Sequence, residues 1–269
     1  MIYRWPYTML DLDAYLRRIR YSGELRADES TLAAVHFAHA ARIPFENLDI
    51  LLGRPVRLDL ESLQAKMVAA ERGGYCFEQN LLFAAVLERF GFSVVSLAAR
   101  VRYRARRVNP RTHMLLLARC GRSDWIADVG FGLEGLLLPL PLVADRETRQ
   151  HGRTHRLVRE EERWVLQMQS ADAWTDLYTF SLEPQLPVDY EMANFYTSTH
   201  PDSPFVRNLI VQSLSPESRR FLRNRELTVD DGRSVTRRTI DGDEALLEVL
   251  GEQFSLRFPG GTRFPFRDS

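Results

Sequence analysis

The spacing of the hydrophobic residues changes once along the chain, near residue 91. Before that point, apolar residues recur every three to four positions after Asp11, Ser30 and Asp59, and this spacing predicts amphipathic helices. From Phe92 onward, short runs of β-branched and aromatic residues alternate with turn residues, which predicts antiparallel strands. The chain therefore combines a helical first third with a β-rich middle third, an α+β organisation.

Three segments follow from this pattern. We predict a helical bundle over residues 1–91, an antiparallel β-barrel-like segment over residues 92–188 and a mixed α/β segment over residues 189–269. Within them, spacing predicts helices at 77–90, 190–196 and 241–253, and strand-like residues at 226–239. No repeat or low-complexity linker separates the segments, so we expect them to pack together.

The charge balance limits the expected partners. The 269 residues carry 36 basic and 36 acidic side chains, so no overall field attracts nucleic acid or an anionic membrane. No apolar run approaches the roughly 18 residues of a membrane span, and the first residues lack the pattern of a secretory signal. With two cysteines, we expect a cytoplasmic protein without a disulfide framework or a metal site. Lys66 is the only lysine, so lysine-based chemistry is not expected.

The strongest candidate for chemistry lies in Arg-Gly-Gly-Tyr-Cys-Phe-Glu-Gln-Asn at 72–80. A Gly-Gly turn places Cys76 in the first turn of a predicted helix. There, unpaired backbone N–H groups and the helix dipole favour the thiolate, which is the nucleophilic form. The alternative is that Cys76 is a small buried hydrophobe, as most free cysteines are. The second cysteine, Cys120, has no activating pattern and is expected to be inert.

A nucleophile of this kind needs a base and a group that orients the base, and the β-rich segment contains both. His113 begins one apolar run and Asp128 ends the next, with a Gly-Arg-Ser-Asp turn between them. This spacing suits two adjacent antiparallel strands. Cys76, His113 and Asp128 therefore form a candidate catalytic triad. Taken singly, His113 could equally be a core histidine and Asp128 a turn residue.

The other histidines are weaker candidates. His36 and His39 share a helix face, but no third ligand accompanies them, so packing or a surface position is favoured over metal binding. His151 and His155 flank a turn and are expected to be exposed. His200 lies in a loop that could line a site.

Four arginines alternate with other residues near the end of the first predicted strand of the middle segment. Arg100, Arg102, Arg104 and Arg106 alternate with other residues, which predicts four guanidinium groups on one strand face. A solvated sheet face is the favoured interpretation. A patch for an anionic cofactor or phosphate stays open.

Five blocks of the sequence resemble the arylamine N-acetyltransferases. They are Arg-Ile-Pro-Phe-Glu-Asn-Leu-Asp at 42–49, the block at 72–80, Thr-His-Met at 112–114, Asp-Val-Gly-Phe-Gly at 128–132, and Asn-Phe-Tyr-Thr-Ser-Thr-His-Pro-Asp-Ser-Pro-Phe at 194–205. The resemblance implies a fold of three parts: an N-terminal helical bundle, a central antiparallel β-barrel-like domain and a C-terminal α/β lid. It also implies a thiol-protease-like Cys–His–Asp site in the cleft between them.

The resemblance further implies a reaction. Cys76 would take the acetyl group of acetyl-CoA as a thioester, and an arylamine or arylhydrazine would then receive it, a ping-pong transfer assisted by His113 and Asp128. No metal is implied. Residues at matching positions are implied to contact the substrates: Thr112, Gly130 and Gly132 for CoA, and Phe45, Phe131 and Phe205 for the amine. Arg72 and Glu46 match a pair that buttresses the cysteine loop. Leu133 departs from the family pattern and leaves the path of CoA open.

Other functions remain open at the level of sequence. A family relative could join an aromatic amine to a longer acyl thioester, and a Cys–His–Asp triad also serves hydrolases. A binding module would keep the fold without catalysis, although all three triad residues are present here. The physiological amine, the acyl-chain preference and the oligomeric state, a homodimer included, do not follow from the sequence.

Overall fold

The computed structural model describes residues 10–132, 134–170 and 173–266. Leu133, where the sequence departs from the family pattern, lies outside the described residues. Within these ranges, no helix has the length and apolar character needed to cross a bilayer.

The helices of the described chain lie mostly in its first third. They are α1 (Leu12–Ile19), α2 (Glu29–Ala40), α3 (Leu48–Leu51), α4 (Leu60–Gln64, continued by a π-helical turn at Ala65–Ala69), α5 (Cys76–Arg89), α6 (Pro187–Thr199), α7 (Pro204–Arg207) and α8 (Gly242–Phe254). Aspartate side chains cap α1, α2 and α4 by accepting a hydrogen bond from a backbone N–H of the first turn. Because Asp28 is the cap of α2, that helix begins before Ser30, the residue expected to precede it.

Helix α5 is the buried centre of the first segment. Every residue from Cys76 to Leu87 is buried, so protein surrounds the helix on all sides and it has no single apolar face. It packs against the strands at 93–101 and 113–120. Its predicted end is confirmed, because Phe90 is the C-cap and Gly91 adopts a φ of +91°, which glycine tolerates without steric cost.

Eight strands form the central antiparallel sheet. They are β2 (Ser93–Val101), β3 (His113–Cys120), β4 (Ser123–Ala127), β5 (Leu140–Pro141), β6 (Thr148–Gln150), β7 (Arg153–Glu160), β8 (Arg163–Ser170) and β9 (Ala173–Phe180), in the order β5-β4-β3-β2-β9-β8-β7-β6. The chain after β5 reaches β7, where the N–H of Asp145 donates to the carbonyl of Leu157 at 2.7 Å. The two edges of the sheet therefore approach each other, and the sheet is nearly closed and barrel-like, as predicted.

A second antiparallel sheet joins the first and last segments of the chain. Its strands are β1 (Phe45–Glu46), β10 (Ile210–Leu214), β11 (Arg219–Arg223), β12 (Glu226–Asp230) and β13 (Val235–Thr239), in that order. Phe45 of β1 lies opposite Gln212 of β10, so the first segment contributes an edge strand to the last. Helix α8 packs against β10. The boundaries at 91 and 188 stay predictions.

The side chains of β3 show how two of the cores are separated. Met114 and Leu116 pack with α5, whereas Leu115 and Leu117 face the interior of the barrel-like sheet, because successive strand residues point to opposite faces. A third core lies between the second sheet and α8. The helical segment, the barrel-like sheet and the C-terminal sheet thus each pack around a hydrophobic core of their own.

The predicted strand of alternating arginines ends early. Strand β2 stops at Val101, and the N–H of Arg102 donates to the carbonyl of Leu177 at 2.8 Å. Arg104 adopts a φ of +52°, which no strand residue does. The prediction of four guanidinium groups on one strand face is therefore wrong. Arg100 lies in the strand, and the later arginines lie in the loop that follows it.

The prediction that His155 is exposed is also wrong. His155 lies in β7 and is fully buried, with Nε2 3.1 Å from the carbonyl oxygen of Glu134. His151, at the turn before β7, is exposed as predicted. The turn before β7 has only two residues, 151 and 152, so β7 already begins at Arg153 and includes His155.

Candidate active site

Two glycines determine where Cys76 lies. Gly73 passes so close to Pro44 that a Cβ atom there would be 2.1 Å from the Pro44 carbonyl oxygen, so only glycine fits. The carbonyl of Gly74 then accepts a hydrogen bond from the N–H of Glu46 at 3.1 Å. The loop is thereby fastened to β1, and the next residues turn directly into α5 with Cys76 as its first residue.

The first turn of α5 stabilises the loop from the other side. Glu78 accepts a hydrogen bond from the N–H of Tyr75 at 3.0 Å, a capping interaction. The side-chain amide of Gln79 donates to the carbonyl of Gly74 at 2.7 Å. Cys76 is therefore held by the helix that it begins.

The structure brings the three predicted triad residues together in a buried position. His113 is the first residue of β3, and Asp128 follows the last residue of the neighbouring β4. His113 Nε2 lies 2.7 Å from Asp128 Oδ2. The Cys76 thiol donates to the carbonyl of Thr112, at 3.6 Å. Cys76, His113 and Asp128 are 4%, 3% and 1% exposed, so all three are buried.

The electrostatics of this group favour a proton on His113. Burial lowers the pKa of His113, but the charge and hydrogen bond of Asp128, together with Cys76, raise it to about 10. For Asp128, burial raises the pKa, and His113 with the hydrogen bonds from Asn80 and Gly130 lowers it below the usual value. Since Nε2 of His113 is bound to Asp128, Nδ1 is left to take a proton from Cys76.

Sequence reasoning missed two residues that hold Asp128. Asn80 donates to Asp128 Oδ1 at 3.0 Å and accepts from the N–H of Val129 at 3.1 Å. His36 Nε2 accepts from the N–H of Asp128 at 3.1 Å, and His36 Nδ1 donates to the carbonyl of Leu137 at 3.1 Å. Asn80 could have been found, because it lies four residues after Cys76 on the same helix face. No sequence signal connects His36 with Asp128.

Two of the three residues expected to contact CoA lie against Cys76, and the third, Gly132, lies against Gln212. A Cβ atom on Gly130 would be 2.8 Å from Cys76 Cα, so this glycine permits the close approach. Its N–H donates to Asp128 Oδ1 at 3.0 Å and is therefore not free for a phosphate oxygen. Gly132 has a φ of +94°, and a Cβ atom there would meet the Gln212 side chain at 1.8 Å. Thr112 contacts the thiol through its carbonyl group.

The residues expected to contact the amine form two aromatic groups. Phe131 stacks edge-on against His113, with ring centroids 5.1 Å apart. Phe45 and Phe205 are 5.8 Å apart, and Phe205 is also 5.8 Å from Tyr75. Phe45 and Phe131 line one cavity that also reaches Asp128. Aromatic surface therefore lies beside His113 and beside Tyr75, the residue before Cys76.

Tyr178 is a further residue that the sequence did not indicate. It is fully buried, and its ring lies 4.9 Å from that of His113 and 5.1 Å from that of Phe131. Burial, with a smaller contribution from Asp128, raises the pKa of Tyr178 well above its usual value. The neutral phenol ring of Tyr178 thus packs against the imidazole ring of His113.

Five charged side chains lie beneath the cysteine loop. Lys66 Nζ is 2.8 Å from both Asp49 Oδ2 and Glu78 Oε1. Arg72 Nη2 is 2.6 Å from Glu46 Oε1, so the pair implied by the family resemblance is present. Burial lowers the pKa of Lys66, but the carboxylates raise it above its usual value. The only lysine therefore stays protonated and serves as a counter-ion.

Cys120 has the opposite environment from Cys76. It is 6% exposed, and burial, with the charges of Glu29 and Asp28, raises its pKa to about 11. A thiol with such a pKa is almost entirely protonated near neutral pH and is a poor nucleophile.

Replacing Lys66 by Met leaves three buried carboxylates with Arg72 as their main counter-ion. We expect the free energy of unfolding to fall by about 3–5 kcal/mol. The matched control is Arg54→Met, because Arg54 is 61% exposed and lies 3.6 Å from the same Asp49; its expected cost is about 0–1 kcal/mol. Urea unfolding at neutral pH measures both. Equal losses in the two variants would show that the buried cluster has no special role.

Acid is expected to destabilise the protein through its buried neutral histidines. Burial lowers the pKa of His36 and His155 to about 4 and that of His39 to about 3. The unfolded chain, with histidine pKa values of about 6.5, then binds more protons, so stability falls as pH drops from about 6.5 to about 4. In unfolding experiments at a series of pH values, His39→Gln should flatten this decline. His151→Gln, at an exposed site, should not, and a flattening of equal size would contradict the assignment.

Comparison with known proteins identifies the family. An N-acetyltransferase family model matches residues 28–262. The arylamine N-acetyltransferase of Escherichia coli is 41% identical over 249 residues, which cover 91% of this chain and 88% of that protein. The solved structure of the Nocardia farcinica enzyme, 40% identical, has a TM-score of 0.89 and covers 96% of this chain and 93% of its own. That of Mycobacterium marinum arylamine N-acetyltransferase in complex with CoA, 33% identical, has a TM-score of 0.87 with 91% and 92% covered. With this similarity over nearly its whole length, the chain belongs to the arylamine N-acetyltransferase family, a family of acyltransferases.

Proposed function

We propose that the protein transfers an acetyl group from acetyl-CoA to an arylamine or arylhydrazine by a ping-pong mechanism through a thioester on Cys76. The observation that carries this proposal is the buried contact series from Cys76 to His113 to Asp128. Family membership supports the reaction class, and the Mycobacterium marinum relative has been solved with CoA.

In the first half-reaction, Cys76 gives its proton to His113 Nδ1 and the thiolate attacks the acetyl carbonyl of acetyl-CoA. The new C–S bond to Cys76 forms as the C–S bond to CoA breaks. The leaving sulfur takes the proton from His113, so CoA departs as a thiol. Asp128 stabilises the imidazolium in between and fixes the ring orientation. The raised pKa of His113 favours this transient proton acceptance.

In the second half-reaction, the amine nitrogen attacks the acetyl-enzyme thioester. The C–N bond forms, the bond to Cys76 sulfur breaks, and His113 receives the proton that the nitrogen loses. We assign the aryl ring of the substrate to the aromatic surface of Phe45, Phe131 and Phe205, where flat apolar contact would bind it. Phe131 packs edge-on against His113, so a ring bound there has its nitrogen close to the base.

Cys76→Ala is expected to abolish both acetyl-enzyme formation and turnover, because no other side chain occupies the nucleophile position. Cys120→Ala, which changes a thiol of raised pKa, should keep both. Intact-protein mass spectrometry after addition of acetyl-CoA without an amine detects the acetyl mass. Continued turnover in Cys76→Ala would overturn the mechanism.

Asp128→Asn should lower kcat/KM by roughly three to four orders of magnitude, since an amide neither stabilises the imidazolium nor fixes the tautomer of His113. Asp124→Asn is the control: Asp124 pairs with Arg119 at the surface, 2.8 Å away, and we expect a change of less than about twofold. Steady-state rates with one arylamine compare the two. Similar rates in both variants would remove Asp128 from the mechanism.

A further inference from the structure

Helix α2 carries a buried histidine that the proposed reaction does not use. His39 is fully buried, and so is Tyr15 of α1, whose hydroxyl lies 2.7 Å from His39 Nδ1. On the other side of the ring, His39 Nε2 lies 3.3 Å from the side-chain oxygen of Gln79. Buried polar groups cost free energy unless they are hydrogen-bonded, so the three side chains depend on one another for their partners.

This series of hydrogen bonds ends on the loop that carries Cys76. The side-chain N–H groups of Gln79 donate to the carbonyl of Gly74 at 2.7 Å and to that of Pro44 at 3.3 Å. Gly74 lies two residues before Cys76, and Pro44 directly precedes β1, to which the same loop is bonded. Gln79 thus holds the cysteine loop and the start of β1 together from the protein interior.

The hydrogen-bond partners determine the tautomer of His39. Both N–H groups of the Gln79 amide point to carbonyl oxygens, which only accept, so the Gln79 oxygen faces His39 and needs a donor. His39 Nε2 therefore carries the proton. Burial lowers the pKa of His39 to about 3, so the ring is neutral and Nδ1 accepts from the Tyr15 hydroxyl. Donation runs in one direction, from Tyr15 to the cysteine loop, and each hydrogen bond polarises the next.

His39 also decides which way the Gln79 amide points. An amide has nearly the same shape after a half-turn, so packing does not distinguish its oxygen from its nitrogen. After such a turn, the amide nitrogen would face the N–H of His39, and the amide oxygen would face two carbonyl oxygens. Both arrangements are repulsive and leave buried groups unpaired. The donor on His39 Nε2 therefore keeps the Gln79 amide bonded to the cysteine loop.

A second histidine of the same helix contacts the other half of the site. His36 lies three positions before His39 and accepts from the N–H of Asp128 at 3.1 Å. Both imidazole rings lie edge-on against Phe83, with centroids 5.6 Å and 5.3 Å away. Helix α2 is therefore connected to the carboxylate of the triad through His36 and to the nucleophile loop through His39.

We propose that His39 is a positioning residue for Cys76. Acting through Gln79, it fixes the loop that sets where the thiol lies relative to His113. Tyr15 holds His39 in the tautomer that this requires. The inference rests on the proposed function, because it concerns how the nucleophile reaches its base. His39 touches no reacting atom, so its effect on the chemistry is exerted entirely through the loop.

The test uses two amides that each replace half of the imidazole. In His39→Gln, the amide lies near the position of Nε2 and keeps a donor for Gln79, whereas in His39→Asn it lies near Nδ1 and faces Tyr15 alone. Iodoacetamide labelling of Cys76 at pH 7, followed by peptide mass spectrometry, reports how much thiolate is present. We expect His39→Asn to lower the labelling rate at least about tenfold, because a displaced thiol loses its base. His39→Gln should stay within about threefold of the wild type.

A second set of variants tests Tyr15 and does not depend on the stability of His39→Asn. Tyr15→Phe removes the donor to Nδ1, and we expect Cys76 labelling to slow about threefold. In the His39→Gln background, where no ring nitrogen faces Tyr15, the same change should have no further effect. The matched control is Tyr21→Phe, which removes a hydroxyl that donates to the carbonyl of Glu24 at 2.8 Å; its labelling rate should match the wild type.

Labelling separates this inference from the proposed reaction, because it needs no acyl donor. The rate of acetyl-enzyme formation should fall in parallel with the labelling rate. Labelling that depends on His39 without any acetyl transfer would support the positioning role and count against the proposed function alone. Equal labelling rates in His39→Gln and His39→Asn would overturn the positioning role. Losses that follow the melting temperatures of the variants, and not the retained donor, would overturn it as well, because they indicate a general structural effect.

Discussion

The buried ionic cluster around Lys66 is the interaction on which the rest of the site depends. It joins Glu46 of β1, Asp49 of α3 and Glu78 of α5 to a single ammonium group. Arg72 completes the cluster from the cysteine loop itself. Buried charges are tolerated only when partners and geometry match, so the cluster allows one relative position of these elements. That position places Cys76 at the start of α5.

The same low-polarity interior gives the candidate triad its electrostatic character. In such surroundings a carboxylate acts strongly on a neighbouring imidazole, which explains why Asp128 overcomes the effect of burial on His113. Asn80 and His36 satisfy the remaining polar groups around Asp128. These contacts hold the Asp128 carboxylate in one orientation against His113 Nε2.

The site draws on all three segments of the chain. The first contributes Cys76, the central sheet contributes His113 and Asp128, and the last contributes Phe205. Asn47 connects the first and last segments, because its amide donates to the carbonyl of Phe205 at 2.7 Å and its oxygen accepts from the N–H of Ile210 at 2.8 Å. Phe205 is thereby set against Tyr75, the neighbour of Cys76 in the cysteine loop.

The sequence by itself determined the local elements and the chemical residues. Hydrophobic spacing identified the N-terminal helices and most central strands, and the glycines before Cys76, with the spacing of His113 and Asp128, identified the candidate triad. These features depend on neighbours close in the chain. The tertiary structure decided that β2 ends at Val101 and that His155 is buried. Only the tertiary structure placed His36 against Asp128, 92 residues away. It also brought the carboxylates of Glu46, Asp49 and Glu78 together around Lys66. Such contacts arise from packing between segments and leave no periodic pattern in the sequence.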